Sequence, residues 1–322
     1  MSASSQAGGG SRVRREVRLP ADARGRLDRA LADALGVGRA VVKEAFLAGE
    51  VRIEGRRARA SDPAPSGVLV HIGLGMPTGP PRPEPEGALT VLEEGRGFLV
   101  LDKPAGVATH PLRADETGTL ANAVVARFPE CALASTDPRE GGALHRLDLE
   151  TSGCVLFARE RAAFLSLRAQ FSARTVEKRY LALVSGRLST GGVCSVPLAQ
   201  RGSRVVAVPD AERPPKSTGR PREALTHYEV REVHGDHTPV EVRIVTGVMH
   251  QIRAHFAFLG HPVAGDPIYG GPAAALPGLS RHFLHATALG FDRPEGGRIL
   301  ASSPLPAELA ACLACLGPAS PS

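Results

Sequence analysis

The chain has 322 residues, 43% of them hydrophobic and 22% charged, which is enough for about two domains, each with its own core. No apolar run approaches the roughly 20 residues that a membrane span needs, and the small, polar, then basic stretch 1–15 lacks the apolar centre of a signal peptide. The formal charge of +6 points towards a polyanionic partner, whereas 4% aromatic residues and no Trp argue against a broad base-stacking platform for single strands. Five scattered cysteines, an odd number, argue against a disulfide framework and fit a reducing, cytoplasmic setting.

In chain order, residues 1–15 read as a disordered leader and 16–73 as a small basic domain. Between Arg12 and Ile72 there are thirteen Arg/Lys against eight Asp/Glu, so most of the excess positive charge lies in the first fifth of the chain. Leu27, Leu31 and Leu35 recur at helical spacing, and Gly36 to Gly38 end that helix. A second helix is expected over 39–48 with Val42, Ala45 and Phe46 inward. Val51 and Ile53 alternate and meet a turn at Glu54-Gly55; Val68, Val70 and Ile72 form a closing strand. Two helices and a small hairpin sheet with outward arginines make a compact basic module, and by composition alone a solvated surface explains those arginines equally well.

Residues 74–87 are rich in Pro and Gly and read as an extended linker. Over 88–317 the hydrophobic period changes between two and 3.6. Strands are expected at 98–101, 154–158 and 180–184. A helix over 159–173 has Phe164, Leu167 and Phe171 on one face, and Val240, Val242 and Ile244 alternate with Glu241 and Arg243 as a half-buried strand. The fold class is α+β: a catalytic domain with a mixed, largely antiparallel central sheet flanked by helices and loops, preceded by the small α/β module. Residues 201–222 interrupt the strands with Pro, Gly and cations. Cys312 and Cys315 form a Cys-x-x-Cys, but in an Ala/Leu-rich helix with no second ligand pair, so an apolar helix face is the reading.

Chemistry concentrates in two places. One is His145-Arg146-Leu147-Asp148-Leu149-Glu150-Thr151-Ser152-Gly153, directly before a strand. The other is His250-Gln251-Ile252-Arg253-Ala254-His255, followed by Gly260-His261-Pro262 and Gly265-Asp266-Pro267-Ile268-Tyr269-Gly270. Three functions compete. His250, His255, His261 and Asp266 could be metal ligands, but a spacing of five turns His250 and His255 away from a shared helical face. A hydrolase on Ser152 and His145 lacks a nucleophile elbow and a placed acid. A carboxylate poised by an arginine, for work on a bound nucleotide, suits both clusters best.

The stretch HRLDLETSG resembles the signature of the RluA-type family, the ribosomal large-subunit and transfer-RNA pseudouridine synthases. LDKPAGVATHP, EKRYLALVSG, HQIRAHFAFLGHPVAGDPIYG and FLHATALGF resemble further family segments and follow in family order between Phe98 and Phe291. The resemblance implies Asp148 as the essential carboxylate, Arg253 as its salt-bridge partner, and Tyr180 stacked on the target uracil. It further implies Arg146 filling the space a flipped nucleotide leaves, Ile252 lining the base pocket, and 201–222 closing over RNA. RLDRALADALGVGRAVVKEAFLAGEVRIEG resembles the S4-like RNA-binding domain, which makes Arg39, Lys43 and Arg52 candidates for phosphate contacts. One departure stands out: the family carries Gly-Arg-Thr before His-Gln-Ile-Arg, where this chain has Gly247-Val248-Met249. That change bears on substrate choice more than on activity.

The implied reaction breaks the uridine N1–C1′ bond and rejoins the uracil through C5, an isomerisation for which no cofactor or metal is expected. The partner is structured RNA, ribosomal in preference to transfer RNA; neither a membrane nor a protein partner is expected. The alternative from another class is an RNA-binding or ribosome-assembly protein whose catalytic site is idle or secondary, a reading kept open by Val248-Met249.

Overall fold

The computed structural model describes residues 13–35, 37, 39–74, 79–112, 116–211, 214–215, 218–270, 276 and 278–316. They divide into two units. One takes in the chain to Pro80 together with Pro111–Glu116, the other Pro81–His110 and the chain from Thr117 onwards.

In the first unit, β1 (Val13–Arg18) starts inside the stretch expected as a leader, so residues 13–15 are strand; residues 1–12 lie outside the described residues. The helices α1 (Leu27–Leu35) and α2 (Arg39–Leu47) fall where the apolar spacing predicts, with Leu27, Leu31, Val42, Ala45 and Phe46 buried. Gly36 and Gly38, the expected stop, lie outside the described residues. The strands β2 (Val51–Ile53) and β3 (Arg56–Arg57) are joined at Glu54-Gly55, both with positive φ (49° and 78°), the two-residue hairpin turn whose twist matches that of paired strands. With β4 (Leu69–Leu74) they form a sheet in the order β1-β4-β2-β3.

The expected linker is shorter than its composition suggests. Leu74 is the buried end of β4, and from Pro81 the chain is already fixed to the second unit. There the Asn122 side-chain amide donates to the Arg82 carbonyl at 2.8 Å, and Gly87 passes so close to Ala123 that a Cβ would sit 2.7 Å from it. Proline and glycine here serve close docking rather than an extended spacer.

The second unit is built on a nine-stranded sheet. Its strands are β5 (Thr90–Glu94), β6 (Phe98–Lys103), β7 (Ser152–Ala158), β8 (Glu177–Ser185), β9 (Gly192–Cys194), β12 (Thr226–Val230), β13 (His237–Ile244), β14 (Leu284–Asp292) and β15 (Arg298–Ser302). The order is β5-β6-β7-β14-β8-β13-β12-β9, with β15 on β14, and β7–β14 is the parallel pair in an otherwise antiparallel set. A separate hairpin, β10 (Leu198–Arg201) and β11 (Arg204–Ala207), falls in the stretch 201–222 and the residues just before it.

Because successive side chains in a strand point to opposite faces, β6 and β7 feed two cores. Leu99, Leu101, Val155 and Phe157 pack with α3 (Leu120–Arg127) and α5 (Gln251–Phe258). Phe98, Val100, Leu156 and Ala158 pack with Phe164 and Leu167 of α4 (Arg161–Ser172). Burial on both faces explains why these strands read as continuous apolar runs. The terminal helix α6 (Ala307–Cys315) buries Leu309 and Cys312 and leaves Cys315 exposed, and every cysteine is a free thiol.

Candidate active site

Asp148 lies in the loop that leads into β7, and that loop is fastened on several sides. Gly153 follows Ser152 in the parallel contact with β14 at φ 113°, where a Cβ would stand 2.2 Å from the Ala286 carbonyl oxygen, so only glycine lets the two strands meet here. Lys103, at the end of β6 and fully buried, donates to the carbonyls of Pro104, Val107 and Leu149 at 2.7–3.0 Å. Arg281 donates to the Glu150 carbonyl and the Ser152 hydroxyl, and Thr151 pairs with His282 Nε2 at 2.8 Å. His145 Nε2 accepts from the Leu156 amide, and burial pushes its pKa down to about 3, so this ring is a neutral bracket rather than an acid. Residues 149–152, which follow Asp148, thus have rigid partners.

Lys103 is one functional position that sequence reading missed; the motif LDKPAGVATHP gave a strand and loop, not a buried ammonium. Burial lowers its pKa to about 8, and it stays largely protonated at neutral pH while binding three carbonyls. Lys103→Met keeps the volume and removes the donors. It should lower stability by about 3 kcal/mol and cut activity with it, since unsatisfied buried carbonyls and a loosened loop share one cause. Chemical denaturation and turnover measured side by side check this; an unchanged midpoint would exclude it.

Arg253, on α5 and 4% exposed, sits between two carboxylates. Its Nη1 donates to Asp148 Oδ2 at 2.9 Å, while Nε and Nη2 fork onto Asp266 at 2.7 and 2.9 Å. Desolvation works against the guanidinium charge, but the hydrogen bond and charge of Asp266 win and hold the pKa above its ordinary value. Asp266 is fully buried; despite that desolvation, Arg253 and the amides of Ile268 and Tyr269 keep its pKa low. Asp148 Oδ1 is left facing His250 Nε2 at 3.9 Å, beyond hydrogen-bond reach. One carboxylate oxygen is tethered and the other is available.

This pair opens into a cleft of about 920 Å³, lined in part by Arg146, Asp148, Tyr180, Lys178, Ile252 and Arg253. Tyr180 and Ile252 present buried surfaces and Arg146 is exposed. Burial, reinforced by the Asp148 charge, raises the Tyr180 pKa, so its hydroxyl stays neutral. Lys178 donates to the Thr246 carbonyl, and Gln251 ties Thr246, the Val248 amide and the Leu225 carbonyl together. Where the family's arginine is replaced, the Val248 side chain packs against a small apolar cluster that includes Ala254 and Tyr269, and Met249 is exposed. The support of this turn comes from Gln251, which this chain retains.

The cleft brings together Asp148, Arg253, Tyr180, Arg146 and Ile252. The histidines weighed as metal ligands go separate ways: His255 pairs with Thr226 and the Val196 carbonyl, and His261 with the Ser185 carbonyl. In the first unit, Arg39 engages the fully buried Asp28 at 2.8 Å, Arg52 donates to the Gly55 carbonyl, and Lys43 shares the rim of a groove with Arg57 and Arg59.

The cleft thus combines an arginine-held carboxylate, a neutral tyrosine and walls rich in cations. The chain belongs to the RNA pseudouridylate synthase family, whose model matches residues 97–258. It is 36% identical to "Ribosomal large subunit pseudouridine synthase D" of Xanthomonas campestris pv. campestris, over 94% of this chain and 92% of that one. It is 38% identical to an "Uncharacterized RNA pseudouridine synthase" of Chloroflexus aurantiacus, over 88% and 87%. The solved structure of "Human RNA Pseudouridylate Synthase Domain Containing 1" superposes with a TM-score of 0.56 and 28% identity, covering 72% of this chain and 90% of that one. The enzyme is an isomerase that forms pseudouridine in RNA, and among the described residues no helix is long and apolar enough to cross a membrane.

Proposed function

We propose that this enzyme modifies uridines of large-subunit ribosomal RNA, with Asp148 as the catalytic carboxylate. The observation that carries the site assignment is the 2.9 Å pair between Asp148 and the buried Arg253 at the mouth of a basic cleft. The name of the Xanthomonas relative supports ribosomal RNA as the substrate class, and with that partner the protein works in the cytoplasm.

A stacked uridine hides C1′ and C6, so the nucleotide must first leave the helix. Arg146 fills the gap, and Tyr180 and Ile252 hold the uracil. Arg253 pairs with Asp148 Oδ2 and fixes it, which leaves Oδ1 aimed at the sugar or the base. After the N1–C1′ bond breaks and the uracil turns, C5 joins C1′, the C5 proton is released and N1 takes up a proton, so the product is an isomer of uridine. Comparing pseudouridine maps of ribosomal and transfer RNA from cells with and without the gene tests the substrate. Loss of one or more large-subunit sites is the expected result, and a loss confined to transfer RNA would overturn it.

The first unit reads as an S4-like module that adds affinity through phosphate contacts, with Lys43, Arg39 and Arg52 as contributors. Removing the chain through Pro80, where the two units divide, should leave isomerisation of a short RNA intact. On long RNA, binding should weaken and the slope of log K against log salt should become shallower by about 2–3 if three contacts go. An unchanged slope would return those cations to a solvated surface.

A further inference from the structure

The tip of the β10–β11 hairpin is Arg201-Gly202-Ser203-Arg204, with both arginines exposed. With Arg201 and Arg204 as the closing pair, the Val205 amide falls on the outer edge of the hairpin, outside the ladder. It is captured there by the Tyr269 hydroxyl at 2.9 Å. Val205 and Leu198 also pack with Ala254 of α5, so the hairpin is seated on the helix that carries Arg253.

Tyr269 reaches the catalytic pair twice. Its ring lies under the Arg253 guanidinium, 5.3 Å from the centroid, and its hydroxyl is 3.1 Å from His250 Nδ1. The hydroxyl accepts from the Val205 amide and keeps one proton of its own, and the direction of its hydrogen bond with His250 Nδ1 follows the tautomer of the ring. When the hydroxyl donates to Nδ1, the neutral ring carries its own proton on Nε2, the atom that faces Asp148 Oδ1 at 3.9 Å. The groups around this imidazole are Asp148, Arg253, Asp266 and Arg146, besides Tyr269. His250 itself is held at φ 54°, a left-handed conformation that costs a non-glycine residue energy and aims the ring into the site.

We propose that Tyr269 is a positioning residue that couples RNA contact at the hairpin tip to the placement of Asp148, through Arg253 and the His250 tautomer. The coupling rests on the reading above, in which Asp148 is catalytic and RNA occupies the cleft. It gives the hairpin a role in turnover as well as in binding.

The test is a cycle of Tyr269→Phe, the tip double variant Arg201→Ala with Arg204→Ala, and their combination, each assayed for kcat and KM on long RNA. Tyr269→Phe keeps the ring under Arg253 and should lower kcat about 10-fold with KM within about 2-fold. The tip variant should lower kcat and raise KM. Combined, the variants should show no further loss of kcat than Tyr269→Phe alone, while KM still rises. Multiplying kcat losses, or wild-type turnover by Tyr269→Phe, overturns the coupling. The wild-type protein offers a check that no folding defect can confuse: nitrogen-15 NMR should find the His250 proton on Nε2, and an Nδ1–H tautomer overturns the relay. An Asp148→Asn control separates the two levels. If it is dead while Tyr269→Phe is normal, only the coupling fails; if it turns over, the catalytic reading fails with it.

Discussion

Asp148→Asn should reduce release of tritium from C5-labelled uridine by at least about 10³-fold, with RNA binding kept within a few-fold. The substitution changes charge and almost nothing else. Its amide oxygen can still accept from Arg253 Nη1, and Arg253 retains its fork onto Asp266. The loop does not depend on the carboxylate for its course, because Lys103, Arg281 and His282 hold the residues that follow it. Binding should survive because the cations that line the cleft are untouched. What is lost is the negative oxygen that any of the possible roles requires, whether attack on C6, attack on C1′ or removal of a sugar proton. Substantial turnover by a well-folded Asp148→Asn protein would remove Asp148 from the mechanism.

The periodic parts of the fold were legible in the sequence. Helices α1, α2 and α4 announce themselves by apolar spacing, and β6, β7, β8 and β13 by apolar runs or alternation, because burial on a fixed face dictates residue type. Short or edge strands such as β5, β9 and β15 bury fewer side chains and leave a weaker pattern. Of the site, the family resemblance supplied Asp148, Arg253 and Tyr180, but not what holds them. Asp266 was visible in the Gly-Asp-Pro segment and was weighed as a metal ligand, because nothing local says that its partner is an arginine thirteen residues earlier. Lys103 stood within the LDKPAGVATHP segment with no role of its own, since its three carbonyl partners include one 46 residues away. Tyr269 was one of several residues in a motif, because its partner, the Val205 amide, lies 64 residues earlier on the hairpin. Motifs name candidate groups; the groups that brace them are set by register and burial across the sheet.

Arg253→Ala should be the most destabilising single change in the site. It leaves Asp266 fully buried with only two backbone amides, and Asp148 without a counterion. Breaking such a pair from the cationic side costs about 3–5 kcal/mol, and at about 2–4 °C per kcal/mol for a domain of this size the melting temperature should drop by roughly 10 °C or more. Turnover should vanish as well, since Asp148 loses the hydrogen bond that fixes its Oδ2. The pH dependence separates lost charge pairing from lost packing. In the wild type, Arg253 holds the Asp266 pKa below its unfolded value, so the pair's stabilisation is complete above about pH 4 and is lost as pH falls through the folded pKa. In the variant the desolvation remains without the cation, so the pKa lies above the unfolded value and the penalty is relieved as pH falls. Both trends narrow the gap in acid. The difference in melting temperature should therefore be widest near neutrality and shrink towards pH 4, the variant's own stability improving as the pH falls below neutrality. Arg253→Lys, a single point donor in place of the fork, should recover part of the stability and little of the activity, because one ammonium cannot serve both carboxylates in their present geometry. A gap that stayed constant with pH would mean that Arg253 matters for its packing rather than for its charge pairing with Asp266.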